Sequence, residues 1–209
     1  MLHLTTTDLQ NYERYYRANL INCLSGYKQA SLIGTVNTEG LTNLALFSNI
    51  VHLGANPALI GYIQRPITAT SHTYKNIIAT SYYTINHVPI ANLQQAHQTS
   101  ATYNEGISEF DACGFVPQYI ADFAAPFVTE SPIKIGLKFV QEIPISLNNT
   151  SLIIGEVQHI ILEQPTVVLP DGNLNLSQAN TAIIHGLENY STATSIAHYG
   201  YAKVPVTMA

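Results

Sequence analysis

Apolar segments separated by turn residues follow one another along most of this chain, and they strongly limit what it can fold into. Such segments lie at 31–53 (with a turn at Glu39-Gly40), 58–64, 82–88, 133–145 and 151–162. Runs of this length beside glycine, proline or asparagine are typical of β-strands. Strand–turn–strand units outnumber strand–helix alternation, so the sequence predicts a mainly β fold. We expect an antiparallel β barrel with peripheral helices and no doubly wound sheet.

Helices are expected between and around these strands. The threonines at 5–7 can cap an N-terminal helix of about 7–25, which Gly26 would end. Further helices are predicted at 73–81, at 91–103, at a short turn from Ser108, and at 176–187.

Two more regions complete the expected architecture. Residues 117–132 are predicted to form a loop with broken helix, and 198–204 a last strand. Because the chain contains no internal repeat, low-complexity tract or linker, residues 1–209 are expected to form a single domain.

The low fraction of charged residues and the negative net charge indicate which partners the protein can have. Charged residues make up only 10% of the chain, whereas soluble domains typically contain roughly 25%. So few charges cover a monomer surface poorly, and we expect part of that surface to be buried in an oligomer. The net charge of −5 argues against a nucleic-acid partner, which needs a basic face.

The sequence lacks several features, and this excludes particular classes of protein and of binding site. No apolar run approaches the ~18 residues of a membrane span, and the N-terminus lacks a basic-then-apolar signal pattern, so we expect a cytoplasmic protein without membrane contact. Cys23 and Cys113 lie far apart, and the eight histidines include no i, i+3 or i, i+4 pair, so no metal site is expected. The motifs GxGxxG, GxxxxGK[ST], HExxH and GxSxG are absent, so a cofactor must be held another way.

Residues 43–76 form the stretch that most suggests a binding site. An apolar strand with small polar residues leads through a Gly54–Pro57 turn into a second strand at 58–64. This strand breaks at Arg65 into a hydroxyl-rich loop that opens a helix near Thr73. Amides along a strand edge can meet the heteroatoms of a flat ring, and a helix start beside an arginine can hold a phosphate. The stretch therefore predicts a site for an anionic, partly flat ligand.

The densest polar cluster of the chain lies at the end of this stretch. It contains Arg65, Thr70, Ser71, His72, Thr73, Lys75 and Asn76. The simpler interpretation is a proline-initiated loop with an ordinary helix cap. The functional interpretation is a phosphate site in which hydroxyls and amides donate and Arg65 neutralises charge. Its position directly after a buried strand favours the functional interpretation.

Four other polar residues are candidates for ligand contacts. Ser48 and Asn49 are adjacent in a predicted strand and so face opposite sides, which means that one of them points inward or meets a ligand. A flavin ring would supply the partner that a buried polar group needs. His97 is a candidate polar contact near a reaction centre, although a surface histidine is the simpler interpretation. Glu109 is expected to serve a helix start and could also face a pocket.

Several phrases, taken in order, resemble the flavin reductase-like family of FMN-binding split barrels. They are SLIGTVN with GLTNLALFSN, HLGANPALIGYIQRP, HTYKNIIATSYYTINHV, AHQTSATY, ISEFDACGF, TSLIIGEVQHIIL, DGNLNL, and HGLENY before a final YAK. The similarity spans roughly residues 20–203.

The resemblance implies a six-stranded split β barrel, usually a homodimer, with FMN near the subunit interface. It implies that the isoalloxazine ring is lined by Asn43, Leu44, Ala45, Phe47, Ser48 and Asn49. It implies that the phosphate is surrounded by Arg65, Thr70, Ser71, His72, Thr73 and Asn76, with Lys28 able to reach the same anion.

The implied activity is an oxidoreductase that passes electrons from NADH or NADPH through FMN to a flavin or another acceptor. No catalytic side chain is expected, because the flavin carries the chemistry. Short flavin reductases often have a Gly-Asp-His step before the strand that ends in Gly-Glu-Val, and here Asn149-Thr150-Ser151 stands in its place. This departure concerns the NAD(P)H site and leaves the FMN site untouched. Two alternatives stay open: a flavoredoxin-like electron carrier reduced by a protein partner, and a non-enzymatic module for another phosphorylated aromatic.

Overall fold

Antiparallel strands dominate the fold, which is a computed structural model that describes residues 1–104 and 106–204. In chain order the strands are β1 (Lys28–Gln29), β2 (Ser31–Val36), β3 (Thr42–Phe47), β4 (Ile50–Ala55), β5 (Ala58–Gln64), β6 (Tyr82–His87), β7 (Pro117–Ile120), β8 (Phe123–Val128), β9 (Ile133–Ile145), β10 (Thr150–Leu162), β11 (Ala182–His185) and β12 (Asn189–Thr192). Seven of them form the main sheet in the order β3-β2-β6-β9-β10-β5-β4. Smaller sheets contain β1-β11-β12 and β7-β8.

Short helices connect and flank the strands. They are α1 (Thr6–Asn11), α2 (Arg14–Leu24), α3 (His72–Thr80), α4 (Leu93–Gln98) and α5 (Glu109–Cys113), with 3-10 turns at Ile90–Asn92 and Pro165–Val167. The N-terminal helix predicted at about 7–25 is two helices. Tyr12 ends α1 in an extended conformation, and the Glu13 carboxylate caps α2 by accepting from two backbone N–H groups. No helix among the described residues is long and apolar enough to cross a membrane.

The hydrophobic core occupies both faces of the main sheet. All six residues of β2 are buried, so its apolar run has no alternation. Leu32 packs in one cluster with Phe110 of α5, whereas its neighbour Ile33 packs in another with Tyr62 and Tyr83. Because adjacent strand residues face opposite sides, β2 contributes side chains to both clusters. β3 pairs with this buried strand.

The mainly β, antiparallel character predicted from the sequence is confirmed, but the main sheet has seven strands where six were expected. The strand expected to run through residue 53 is broken at Ser48-Asn49. β3 pairs with β2, and β4 pairs with β5, at opposite ends of the same sheet. The prediction that Ser48 and Asn49 lie within a strand is therefore wrong, because both residues lie where the chain leaves one edge for the other.

Three predictions for the second half of the chain are wrong. The expected loop and broken helix at 117–132 contains the hairpin β7-β8, in which every residue of β8 except Ala124 is buried. The expected helix at 176–187 consists of turns followed by β11, because Ala182 and Ile184 are buried with a period of two. Residues 198–204 form no strand, and β12 is the last one described.

The helix expected at 91–103 ends at Gln98.

Gly155 on β10 makes a close approach that the core depends on. A methyl group on its α-carbon would overlap the hydroxyl of Tyr83 and would lie 3.0 Å from the β-carbon of Leu137. The Tyr83 hydroxyl is buried and has no hydrogen-bond partner among the described residues. The glycine therefore makes room for the tyrosine.

We expect Gly155→Ala to lower the free energy of unfolding by about 1–3 kcal/mol through overpacking. Adding Tyr83→Phe should recover part of that loss, because the hydroxyl that meets the new methyl group is removed. Urea denaturation measures both effects. Gly200→Ala is the control, since nothing lies within 4 Å of the added carbon. Equal stability of Gly155→Ala and the unchanged protein would contradict this account of the core.

Candidate functional site

A cavity of about 720 Å³ lies where the ends of β3 and β5 meet the start of α3. Ligand pockets in proteins commonly measure about 300–1,000 Å³. Its lining comes from Glu109 and from most residues of four regions: 43–49 without Leu44, 63–74, 97–103 and 184–188.

The edge of β3 supplies backbone groups to this cavity. β3 pairs with β2 on one side only, so alternate residues turn their N–H and C=O groups outward. The N–H of Leu44 faces outward, because it donates to the Glu109 carboxylate at 3.0 Å. By the same alternation the N–H of Leu46 also points outward, and Leu46 lines the cavity. This edge can therefore pair with the polar rim of a flat ring.

The start of α3 forms a polar corner of the same cavity. Ser71 is the N-cap residue, but its side chain makes no capping hydrogen bond among the described residues. Its hydroxyl instead accepts from the N–H of Thr68 at 3.0 Å, and the hydroxyls of Thr68 and Thr70 lie 3.1 Å apart. The first N–H groups of a helix have no intrahelical acceptor. With Arg65 at the end of β5, this corner suits an anion.

Two buried hydrogen bonds hold α3 against the sheet. The Asn43 amide donates to the Thr73 hydroxyl at 2.9 Å, and the Asn76 amide donates to the Thr35 hydroxyl at 3.1 Å. All four side chains are almost completely buried. Buried polar groups with satisfied partners fix geometry, so the edge of β3 and the start of α3 keep a set spacing.

Glu109 is a nearly buried carboxylate on the cavity wall, 6% exposed. It begins α5, and its neighbour Ser108 shares a 2.6 Å hydrogen bond with Thr42, so α5 is attached to the outer edge of β3. Burial raises the pKa of Glu109, while the N–H of Leu44 and the nearby His72 act in the opposite direction. The possibility that Glu109 faces a pocket, raised from the sequence, is confirmed.

Eleven of the residues proposed from the sequence line the cavity. They are Asn43, Ala45, Phe47, Ser48, Asn49, Arg65, Thr70, Ser71, His72, Thr73 and His97. The structure thus brings the two halves of the predicted site together around one space. The contacts of these residues with a ligand stay predictions.

Three proposed residues lie away from this lining. Leu44 is fully buried in the core behind β3. Asn76 borders a smaller neighbouring cavity of about 100 Å³. The Lys28 ammonium donates to the carbonyl of Asn22 at 3.3 Å and to the hydroxyl of Ser25 at 3.1 Å, at the end of α2.

Part of the cavity wall was not identified from the sequence. It comprises Leu46, Ile63, Gln64, Pro66, Thr68, Tyr74, residues 98–103, Ile184, Leu187 and Glu188. Residues 99–103 and 184–187 were assigned to helices, which hid their position on loops and a hairpin. The small polar residues of Thr99–Thr102 after α4 were the signal for a loop.

The comparisons with known proteins agree with this fold. The flavin reductase like domain matches residues 24–172. A proposed flavin reductase with a split barrel domain from Shewanella frigidimarina is 42% identical, with a TM-score of 0.93 over 97% of this chain and 100% of that chain. Nitrilotriacetate monooxygenase component B from Bacillus cereus is 18% identical, with a TM-score of 0.82 over 95% and 98%. Flavoredoxin of Desulfovibrio vulgaris is 19% identical, with a TM-score of 0.72 over 84% and 92%. The last two show similarity of fold alone.

Glu109→Gln should change the pH dependence of stability. A raised pKa in the folded state means that folding favours the protonated carboxyl, so this contribution is present below about pH 4.5, the ordinary pKa of the group, and is lost as pH rises. We therefore expect the stability of Glu109→Gln, relative to the unchanged protein, to increase from pH 4 towards neutrality. Glutamine still accepts from the Leu44 N–H. Urea titrations at several pH values measure the difference, with exposed Glu39→Gln as control; parallel curves for Glu109→Gln would contradict the assignment.

Proposed function

The chain belongs to the flavin reductase-like family, and we propose that it is an FMN-binding oxidoreductase that passes electrons from NADH or NADPH to a flavin or another acceptor. One observation carries the proposal: a single cavity joins the open edge of β3 to a hydroxyl-rich helix start beside Arg65. FMN combines a flat ring rimmed with heteroatoms and a phosphate, and these two surfaces match its two ends.

The donor set of the cavity fits FMN. At the phosphate end, we place Arg65, Thr70, Ser71, His72 and Thr73, where Ser71 leaves the first turn of α3 without a side-chain cap. At the ring end, we place Asn43, Ala45, Phe47, Ser48 and Asn49. Leu44 and Asn76 would support the site without lining the cavity. Leu44 would pack β3 on the core, and Asn76 would hold α3 against the sheet. Lys28 is engaged at the end of α2, so we assign it no contact with the anion.

In this proposal the chain binds and orients, and bound FMN supplies the hydride and single-electron chemistry. Arg65 and the start of α3 neutralise the phosphate, which fixes one end of the ligand. The Asn43–Thr73 hydrogen bond sets how far the ring lies from that end. Outward N–H groups near Leu46 and the amides at Ser48 and Asn49 would donate to the polar rim of the ring. No side chain of the chain needs to transfer a proton.

We also propose that the protein acts as a homodimer. Apolar side chains are exposed along the long β9-β10 hairpin, including Val140 at 53%, Ile143 at 42% and Ile160 at 64%. With only 10% charged residues, the surface has few groups to shield them. Burying such a strip against a second copy removes apolar area from water.

One observation favours a second candidate, a flavoredoxin-like electron carrier that takes electrons from a protein partner. The tip of the β9-β10 hairpin lies beside the cavity, because Ser151 pairs with Gln64, next to Arg65. That tip is closed by Asn148, whose side-chain oxygen accepts from the hydroxyl of Thr150 at 2.7 Å. No histidine stands in Asn149–Ser151, where flavin reductases with a Gly-Asp-His step have one.

Anaerobic stopped-flow measurements separate the two candidates. If the protein is a reductase, NADH or NADPH should bleach the flavin band of the FMN-loaded protein within seconds or faster. If it is a carrier, bleaching by both nucleotides should be slow or absent, while a reduced protein donor such as ferredoxin bleaches the band. A purified protein that neither is yellow nor takes up FMN would refute both.

Arg65→Ala should weaken FMN binding by about 1.5 kcal/mol or more, which is over tenfold in Kd, because the phosphate loses a charged partner. Isothermal titration with FMN and with riboflavin measures the change. Riboflavin lacks the phosphate, so its affinity should hardly alter. Arg14→Ala is the matched control, since Arg14 lies on α2 over the ring of Tyr15, outside the cavity. An unchanged FMN affinity in Arg65→Ala would show that the phosphate lies elsewhere.

A further inference from the structure

His97 and Tyr190 form a hydrogen-bonded pair on the cavity wall that the binding of FMN leaves unexplained. Nδ1 of His97 lies 2.8 Å from the Tyr190 hydroxyl, and the rings meet edge to face with centroids 5.8 Å apart. Tyr190 is part of β12 and packs on the core beside α4, whereas the His97 ring is exposed and lines the cavity. A residue anchored in the core thus orients an exposed one.

The hydrogen bond bears on which nitrogen of His97 carries the proton. Burial, with a smaller contribution from Glu188, raises the pKa of Tyr190, so its hydroxyl stays protonated near neutral pH. A phenol is a strong donor, and an unprotonated imidazole nitrogen is a strong acceptor, so we assign the hydroxyl as the donor to Nδ1. Neutral His97 then carries its proton on Nε2, and protonated His97 carries one there as well. Nε2 is a donor in both states.

This donor is available to a ligand. Among the described residues, the hydrogen bonds of the His97 ring involve Nδ1 and leave Nε2 without a partner. The cavity wall also contains the half-buried apolar side chain of Leu187, against which a flat ring can lie. It also contains Glu188, whose carboxylate disfavours an anionic group. A flat ring with a neutral oxygen can accept from Nε2, contact the apolar wall and avoid repulsion by Glu188.

We propose that His97, held by Tyr190, anchors a second ligand through Nε2, and that this ligand is a neutral flat ring with an exocyclic carbonyl oxygen. His97 is the contacting residue, and Tyr190 is a positioning residue. The inference rests on the proposed function, since FMN must occupy the β3 side of the same cavity. Both a nicotinamide and the ring of a free flavin have this chemistry, so the binding test contains an arm for each.

The first experiment measures the proton position and needs no turnover. Nitrogen-15 NMR of the histidine rings, with His97→Asn used for assignment, should show Nδ1 unprotonated and Nε2 protonated in the neutral ring. Tyr190→Phe should shift this balance towards the other tautomer, while the signals of the remaining histidines stay in place. A protonated Nδ1 in the neutral ring, or an unchanged balance in Tyr190→Phe, would overturn the inference. The measurement works with or without FMN, so its failure is distinct from failure of the proposed function.

The second experiment measures ligand binding to the FMN-loaded protein. Nicotinamide and lumichrome represent the two carbonyl sources, nicotinate adds a charge, and 3-methylpyridine lacks the oxygen. We expect at least one carbonyl ligand to move the His97 signal and the flavin absorbance, and to bind several-fold tighter than nicotinate and 3-methylpyridine. Whichever carbonyl ligand binds identifies the source.

Substitutions complete this second test. His97→Asn keeps a polar group near Tyr190 and removes Nε2, so it should weaken the carbonyl ligand about fivefold to tenfold, as expected for one lost hydrogen bond. His52→Asn on the exposed strand β4 is the matched control and should bind as the unchanged protein does. Equal affinity in His97→Asn, or no preference for the carbonyl ligands, would overturn the proposal.

Discussion

The unpaired edge of β3 is the constraint on which the site depends. An edge strand exposes N–H and C=O groups that must find partners, and such edges are normally covered or paired. Here α5 covers the first half through Ser108 and Glu109, which bind Thr42 and Leu44. The second half borders the cavity at Leu46, where a ligand can take the place of a neighbouring strand. The break at Ser48-Asn49 prevents β4 from covering this edge, because the chain crosses to the other end of the sheet.

The polar corner depends on that edge for its position. α3 is attached to β3 and β2 by the buried pairs Asn43–Thr73 and Asn76–Thr35, so the anion corner and the strand edge form one rigid unit. Two of these residues, Asn43 and Thr73, both line the cavity and hold its walls together. The chain thus uses the same side chains for packing and for the proposed binding. This explains why polar residues occur in an otherwise apolar region of the sequence.

The sequence predicted most of the sheet that carries the site, and the errors have a common cause. The limits of β5 and β9 were predicted as found, and the starts of β6, β10 and α3 to within one residue, because long apolar runs and turn residues mark them clearly. The errors at β7-β8 and β11 concern segments of four to six residues, which are too short for a strand pattern to be recognised. These same segments pair only within small sheets, so long-range packing decides their structure.

The sequence alone showed the resemblance to a family. It also determined which chemical groups the candidate site offers: a hydroxyl-rich helix start after a buried strand, and an adjacent arginine. These features are local, since turn and cap preferences act within a few residues. Only the tertiary structure decided that β3 and β4 separate to opposite edges, that Glu109 covers β3, and that Tyr190 orients His97 across 93 residues of chain. Such contacts join residues that are distant in sequence, and their partners are set by how the whole core packs.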